Sequence, residues 1–199
     1  LKVALCTWDT EDYADLAAVS QPGKEEYCAR YNYEFVHDQR KLVDSLGFER
    51  IELVHHLLGT YDCVVSIDTD AMVMNHTLRA DRFPNTGITI AEDLFGINDG
   101  VFIAHNNSLT MQFLTVLLMN RTSGNSQQVF THFAAMDLYK PIINKVPQRE
   151  INSFRNHLYG RPGWFTGNYV PGDWVCQWPG ISKADRIPLM TKALDEVIR

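Results

Sequence analysis

Asp62-Cys63-Val64-Val65-Ser66-Ile67-Asp68-Thr69-Asp70 is the stretch whose reading decides the fold. Cys63 to Ile67 form a short run rich in β-branched residues, which reads as a buried strand, and it delivers Asp68 and Asp70 where that strand should emerge into solvent. Alternate residues leaving an extended strand point to one side, so both carboxylates can face one cation. Hard oxygen ligands of this kind suit Mg2+ or Mn2+, with phosphate oxygens completing the shell. Asp-x-Asp also occurs as a solvated turn, so its surroundings have to decide between the two.

Working outward, Phe48 to Leu58 read as a helix, with Ile51, Val54, His55 and Leu58 on one stripe and Gly59 placed to end it before the Asp68 strand. Further upstream, Lys2 to Thr7 read as a first buried strand and Tyr33 to Val36 as a second. Between them Pro22-Gly23-Lys24-Glu25-Glu26 has the look of a helix start. Strand, helix, strand, helix, strand predicts a parallel, doubly wound α/β sheet, whose ligands lie beyond the carboxyl ends of the strands. Thr7 and Asp68 both occupy such ends.

Downstream, residues 87–91 and 100–104 are strand-like, Ser108 is placed to cap a helix over residues 109–120, and a second helix is predicted over 126–138. From Pro141 to Asp173 the chain is rich in Gly, Pro, Asn and aromatics without a sustained period. Tyr159, Trp164, Phe165, Tyr169 and Trp174 fall in or beside it, and they either close the core or offer faces to sugars. Residues 174–177 read as a last strand and 188–199 as a closing helix.

The 199 residues, 45% hydrophobic and 21% charged, suffice for one substantial core, and we expect a single domain over 1–199. A net charge of −6 argues against a nucleic-acid partner. No run reaches the ~18 apolar residues of a membrane span. Residues 1–7 read as a strand and not as a signal segment, while the missing initiator Met leads us to expect that flanking sequence was removed. Cys6, Cys28, Cys63 and Cys176 lack C-x-x-C spacing and read as buried thiols, which favours a reducing compartment, whereas a Golgi lumen would need an anchor upstream. The seven histidines include no i, i+4 pair on a predicted helix, and P-loop, dinucleotide and G-x-S-x-G signatures are missing from the sequence.

Four segments, in order, resemble nucleotide-sugar glycosyltransferases of the GT-A fold: residues 27–33, 61–75, 95–103 and 172–180. The resemblance is to the galactosyl- and mannosyltransferase family that also holds plant xylosyltransferases and, more distantly, to glycogenin-like enzymes. It implies a mixed, mostly parallel GT-A sheet flanked by helices, a UDP-sugar donor of the UDP-glucose or UDP-galactose kind, Mn2+ or Mg2+, and a glycan or glycoprotein acceptor hydroxyl. Asp68 and Asp70 would hold the metal, and Gln177 stands where the family has a ligand histidine. Gly180 and Lys183 would meet the diphosphate, and Thr7, Trp8 and Asp9 the nucleoside. Asn98, Asp99 and Gln128 would face sugar and acceptor, with Gln128 matched to the family's Gln beside the anomeric carbon. An inverting reaction would take Asp93 or Asp99 as base. Two departures lose charge: Gln177 for His, and Ser126-Gln127-Gln128 for an acidic segment. A non-catalytic sugar-nucleotide or carbohydrate module, and a nucleotidyltransferase on the same sheet, are the alternatives.

Overall fold

The computed structural model describes residues 1–40, 47–93, 96–155 and 167–199. Its centre is a six-stranded sheet in the order β2-β1-β3-β6-β5-β7, formed by β1 (Val3–Trp8), β2 (Glu34–Asp38), β3 (Cys63–Ile67), β5 (Ile88–Asp93), β6 (Gly96–His105) and β7 (Ile143–Pro147). β1 runs parallel to both β2 and β3, and β5 parallel to β7. β6 lies antiparallel between β3 and β5, which makes the sheet mixed and mostly parallel. A three-stranded sheet, β4-β9-β8, is built from β4 (Ala71–Val73), β8 (Ser153–Phe154) and β9 (Val175–Gln177).

All of β3 is buried because β1 and β6 flank it and both of its faces are covered. On one face Val64 joins Ala4, Cys6 and Phe102 under α2 (Phe48–Leu57), α3 (Ser108–Met119) and α4 (Ser126–Ala134). On the other, Cys63, Val65 and Ile67 join Tyr27 and Cys28 of α1 (Ala14–Tyr31) together with Trp174. A strand of this kind has no solvent-facing side, hence a run that is apolar apart from the buried Ser66. The small sheet packs through Met72 and Cys176 onto Leu16 of α1 and Met190 of α6 (Lys183–Ala193).

Helix boundaries depart from the sequence reading where proline misled it. α1 begins at Ala14, so that Pro22 is internal, because Leu16, Ala17, Ser20, Lys24, Tyr27 and Cys28 make one continuous buried stripe across the proline. Burial of that stripe offsets the ~3 kcal/mol an internal proline costs. α6 likewise starts at Lys183 with Pro188 inside, capped by Ser182, whose hydroxyl accepts from the Asp185 N–H. Asn107, not Ser108, caps α3, and α4 ends at Ala134, short of residue 138. Residues 141–173 hold β7, α5 (Gln148–Ile151) and β8. Tyr159, Trp164 and Phe165 lie outside the described residues, and Trp174 is fully buried against Tyr27 and Phe83. The four cysteines are free and buried, and burial pushes the Cys6 thiol up to about 12.

Candidate active site

A cleft of about 550 Å3 opens where β1 and β3 end. Trp8, Asp9, Thr10 and Tyr13 line one end of it and Arg50, Asp68, Asp70 and Arg186 the other. At the first end Asp9 is buried among uncharged or weakly basic neighbours. Its Oδ1 accepts from Gln39 Nε2 at 2.8 Å, and its Oδ2 lies 3.0 Å from His37 Nε2 and accepts from the Thr69 hydroxyl at 3.0 Å. Thr7 Oγ1 reaches Thr69 Oγ1 at 3.4 Å, and the Trp8 indole donates to the Arg40 carbonyl.

At the second end every oxygen of the aspartate pair carries a donor. Arg50 Nη1 lies 2.6 Å from Asp68 Oδ1, and Arg186 Nη1 lies 2.6 Å from Asp70 Oδ2. The inner oxygens, Asp68 Oδ2 and Asp70 Oδ1, both accept from one atom, Gln177 Nε2, at 2.8 and 2.9 Å. β3 ends at Ile67, so the convergence is the work of a tight turn, closed by the Ala71 N–H on the Asp68 carbonyl. Lys24, fully buried beneath, donates to the Asp68 carbonyl at 2.9 Å. Burial lowers its ammonium to about 8, against the pull of Asp68, Asp70 and Asp9. Burial likewise raises the Asp68 carboxyl to about 7; Arg50 opposes the rise, while Asp70 and Asp99 add to it.

Behind the pair runs a chain of amides. Gln177 Oε1 accepts from Asn152 Nδ2 at 2.9 Å, and the same nitrogen donates to Asn98 Oδ1 at 2.9 Å. Asn98 Oδ1 also accepts from the Gly100 N–H at 3.0 Å, and Asn98 Nδ2 donates to Asp93 Oδ2 at 3.0 Å. Gly100 is needed here for space. A Cβ on it would meet Gln177 Oε1 at 2.6 Å and Asp68 Oδ2 at 2.9 Å, closer than side-chain carbons come.

The structure thus gathers Thr7, Trp8, Asp9, Asp68, Asp70 and Gln177, and ties in Asp93 and Asn98 through the amides. Asp99 sits behind Arg50, its Oδ2 3.6 Å from Nη2 and its carbonyl accepting from Nη1 at 2.7 Å. Gln128 is placed elsewhere: exposed on α4, it closes a capping box with Asn125 and lines a pocket with Asn120 and His132. Lys183 does not itself line the cleft; its ammonium donates to the carbonyl of Asp12, a lining residue, and lies 3.2 Å from Asp15. Gly180 takes a left-handed φ of 69° in the turn before α6, a conformation that glycine adopts at little cost. Lys24, Arg50, Asn152 and Arg186 were not singled out from the sequence. The available signals were slight: Lys24 shares a stripe with Ser20, and Arg186 follows Lys183 by one turn.

The metal implied by the resemblance can be tested against this donor set. Two carboxylate oxygens that reach one atom at 2.8 and 2.9 Å can also share one small cation. Among the described residues no third His, Cys, Asp or Glu joins them. Such a set fits Mg2+ or Mn2+ held jointly with phosphate oxygens, not an all-protein cage. As arranged, Gln177 turns its nitrogen to the pair and its oxygen to Asn152, so it offers no lone pair there.

No family model and no curated protein matches the sequence. Solved structures do. A glycosyltransferase involved in glycosylating the major capsid of PBCV-1 superposes with a TM-score of 0.76 at 15% identity, over 96% of this chain and 100% of that one. The galactosyltransferase LgtC, in complex with donor and acceptor sugar analogues, gives 0.61 at 12% identity, over 96% and 95%. The glycosyltransferase GlyE of Streptococcus pneumoniae TIGR4 gives 0.51 at 15% identity, over 74% of this chain and 46% of that one. Two of these structures match over 96% of this chain, and they show that it has the GT-A-like glycosyltransferase fold.

Proposed function

We propose that this protein transfers a glycosyl group from a UDP-sugar, of the UDP-glucose or UDP-galactose kind, to a hydroxyl of a glycan or glycoprotein. The observation that carries the reading is the aspartate pair at the mouth of β3, beside a guanidinium, in the cleft beyond the ends of β1 and β3. In this reading the nucleoside lies toward Trp8 and Asp9 and the diphosphate toward Asp70 and Arg186. The bond from the anomeric carbon to the phosphate oxygen breaks, its electron pair stays on the diphosphate, and the acceptor oxygen bonds to the carbon as its proton leaves. Asp68 and Asp70 would hold Mn2+ or Mg2+, which when bound supplies Lewis-acid stabilisation of the leaving group. Arg186 donates to the diphosphate as its charge grows. Its Nε is buried without a hydrogen-bond partner in the protein, a donor to spare at the cleft wall. In an inverting reaction Asp93 takes the proton in preference to Asp99, because Asp99 is confined behind Arg50.

Incubating the protein with individual UDP-sugars and Mn2+, with and without simple glycan acceptors, tests this. UDP release with at least one donor is expected. Failure to turn over any donor, together with failure to bind UDP by calorimetry, would overturn the proposal.

A further inference from the structure

The geometry points to a second saccharide site, set apart from the donor cleft, that holds a part of the acceptor glycan away from the reacting hydroxyl. The choice of a glycan as ligand rests on the glycosyl-transfer reading above; the pocket and its chemistry do not.

A pocket of about 390 Å3 lies between β8, the end of β9 and α6, and it shares no lining residue with the cleft among those described. Its volume falls within the ~300–1,000 Å3 of small-molecule sites. Phe154, Trp178 and Leu189 give it an apolar wall, and Arg155, Glu196 and Lys192 bring charge to it. That mixture suits a pyranose, which offers a C–H face to aromatic and aliphatic carbon and hydroxyls around its edge. The polar groups are set in advance. Arg155 Nη1 donates to Glu196 Oε1 at 2.9 Å and Nη2 donates to Oε2, while the guanidinium carbon sits 4.5 Å from the centre of the Tyr169 ring. Five N–H donors and about four carboxylate lone-pair sites exceed what the pair spends on itself. Donor and acceptor atoms held side by side in this way match a vicinal diol, whose hydroxyls can accept from the one and donate to the other. Tyr169 adds a hydroxyl that is buried without a hydrogen-bond partner among the described residues, although a buried tyrosine hydroxyl usually has one. For stability alone the ion pair does little, since 31% and 36% of the two side chains stay exposed.

Charge and place favour a glycan over a second nucleotide. Arg155, Lys192 and Glu196 sum to a single positive charge, too little to balance a diphosphate and no obstacle to a neutral sugar. Gln177 turns to the aspartates, and the next residue, Trp178, lines this pocket while its N–H donates to the Asp70 carbonyl at 3.2 Å. α6 joins the two sites as well: Arg186 meets Asp70, and Lys192 reaches the pocket about 9 Å further along the helix axis. A glycan engaged here is thus held by elements that also carry the cleft.

Saturation-transfer NMR with lactose, maltose and mannobiose reads the site in the unaltered protein. At least one disaccharide is expected to bind, and saturating UDP with Mn2+ should leave its signal in place. Leu189→Trp narrows the pocket from its apolar wall, and Glu196→Gln removes the charged acceptor on the turn after α6. Both positions are partly exposed, so circular dichroism should show the fold intact. Each variant should weaken the disaccharide about tenfold and leave calorimetric UDP affinity within about twofold. Displacement of the sugar by UDP, unchanged sugar affinity in both variants, or binding of none of the three disaccharides overturns the inference and leaves the donor reading standing. Sugar binding by a protein that shows no UDP affinity overturns the donor reading and leaves this site standing.

Discussion

The two ends of the cleft hold their carboxylates in opposite ways. Asp9 is satisfied by His37, Gln39 and Thr69, which come from β2, the residue after its end, and the β3–β4 turn, all next to β1. Asp68 and Asp70 are held by Arg50 of α2, Arg186 of α6 and Gln177 of β9, the last two more than a hundred residues away in sequence. The end proposed for the nucleoside is therefore made by the sheet and its turns, with neutral donors for the most part. The end proposed for the diphosphate is assembled by tertiary packing and carries paired charge. Hydrogen bonds to a carboxylate are worth about 1.5–3 kcal/mol at either end, but only Asp68 and Asp70 are also paired with guanidinium charges, so the two ends should respond differently to substitution.

The largest effect is expected at the aspartates. Asp70→Asn removes the charge and keeps one of the two acceptor oxygens, so either Arg186 or Gln177 is left facing an N–H. Mn2+-dependent UDP affinity should fall by about 100-fold, equivalent to about 2.7 kcal/mol. Circular dichroism should show the fold intact. An unchanged calorimetric affinity would remove the aspartate pair from the phosphate end.

Next comes Arg186, compared with Lys183 one turn earlier on α6. Loss of a charge-assisted contact of about 1.5–3 kcal/mol predicts that Arg186→Ala weakens UDP by roughly ten- to a hundredfold while sparing uridine. Lys183→Ala should change UDP affinity by less than about threefold, since an exposed ion pair is worth little. If the two variants lose equal affinity, the assignment of the diphosphate to Arg186 is wrong.

The same contrast explains what could be read from sequence. β3 was legible residue for residue, because a strand buried on both faces is nearly all apolar, Ser66 being its one polar residue, and stops where its carboxylates begin. α2 was legible from its stripe. The starts of α1 and α6 were not, because an internal proline looks like an opening one until the buried stripe on both its sides is known. Arg50, Lys24 and Arg186 were invisible for a related reason. A charged residue is buried only when a partner awaits it, and those partners lie 49, 44 and 116 residues away. Gln177 was located by its spacing to Gly180 and Lys183, but its direction depends on Asn152 and Asn98, which no local pattern reveals.

At the end proposed for the nucleoside the effect should be smaller and of another kind. Asp9→Ala frees His37, Gln39 and Thr69 from their shared acceptor, and uridine and UDP should weaken together, by about tenfold at most. A loss confined to UDP would move Asp9 to the phosphate end and erase the distinction between the two.

The smallest effect concerns Gln128, outside both ends. Its backbone N–H donates to Asn125 Oδ1 at 2.9 Å and its side-chain Oε1 accepts from the Asn125 N–H at 3.2 Å, a reciprocal pair that satisfies donors at the start of α4. Gln128→Ala removes one of the two bonds and leaves the Asn125 cap in place, so the cost should fall at the low end of a cap's worth, about 0.5–1 kcal/mol, read from the urea midpoint. Because the Gln128 side chain already serves the helix and points into the α3–α4 pocket, kcat and KM for a UDP-sugar should stay within about twofold of the unaltered protein, a shift under ~0.5 kcal/mol. The resemblance implied the reverse, a residue beside the anomeric carbon whose loss lowers kcat with stability unchanged. The two readings predict opposite columns of the same pair of measurements, so a fall in kcat without a change in midpoint would return Gln128 to the sugar and require α4 to turn toward the cleft when donor binds.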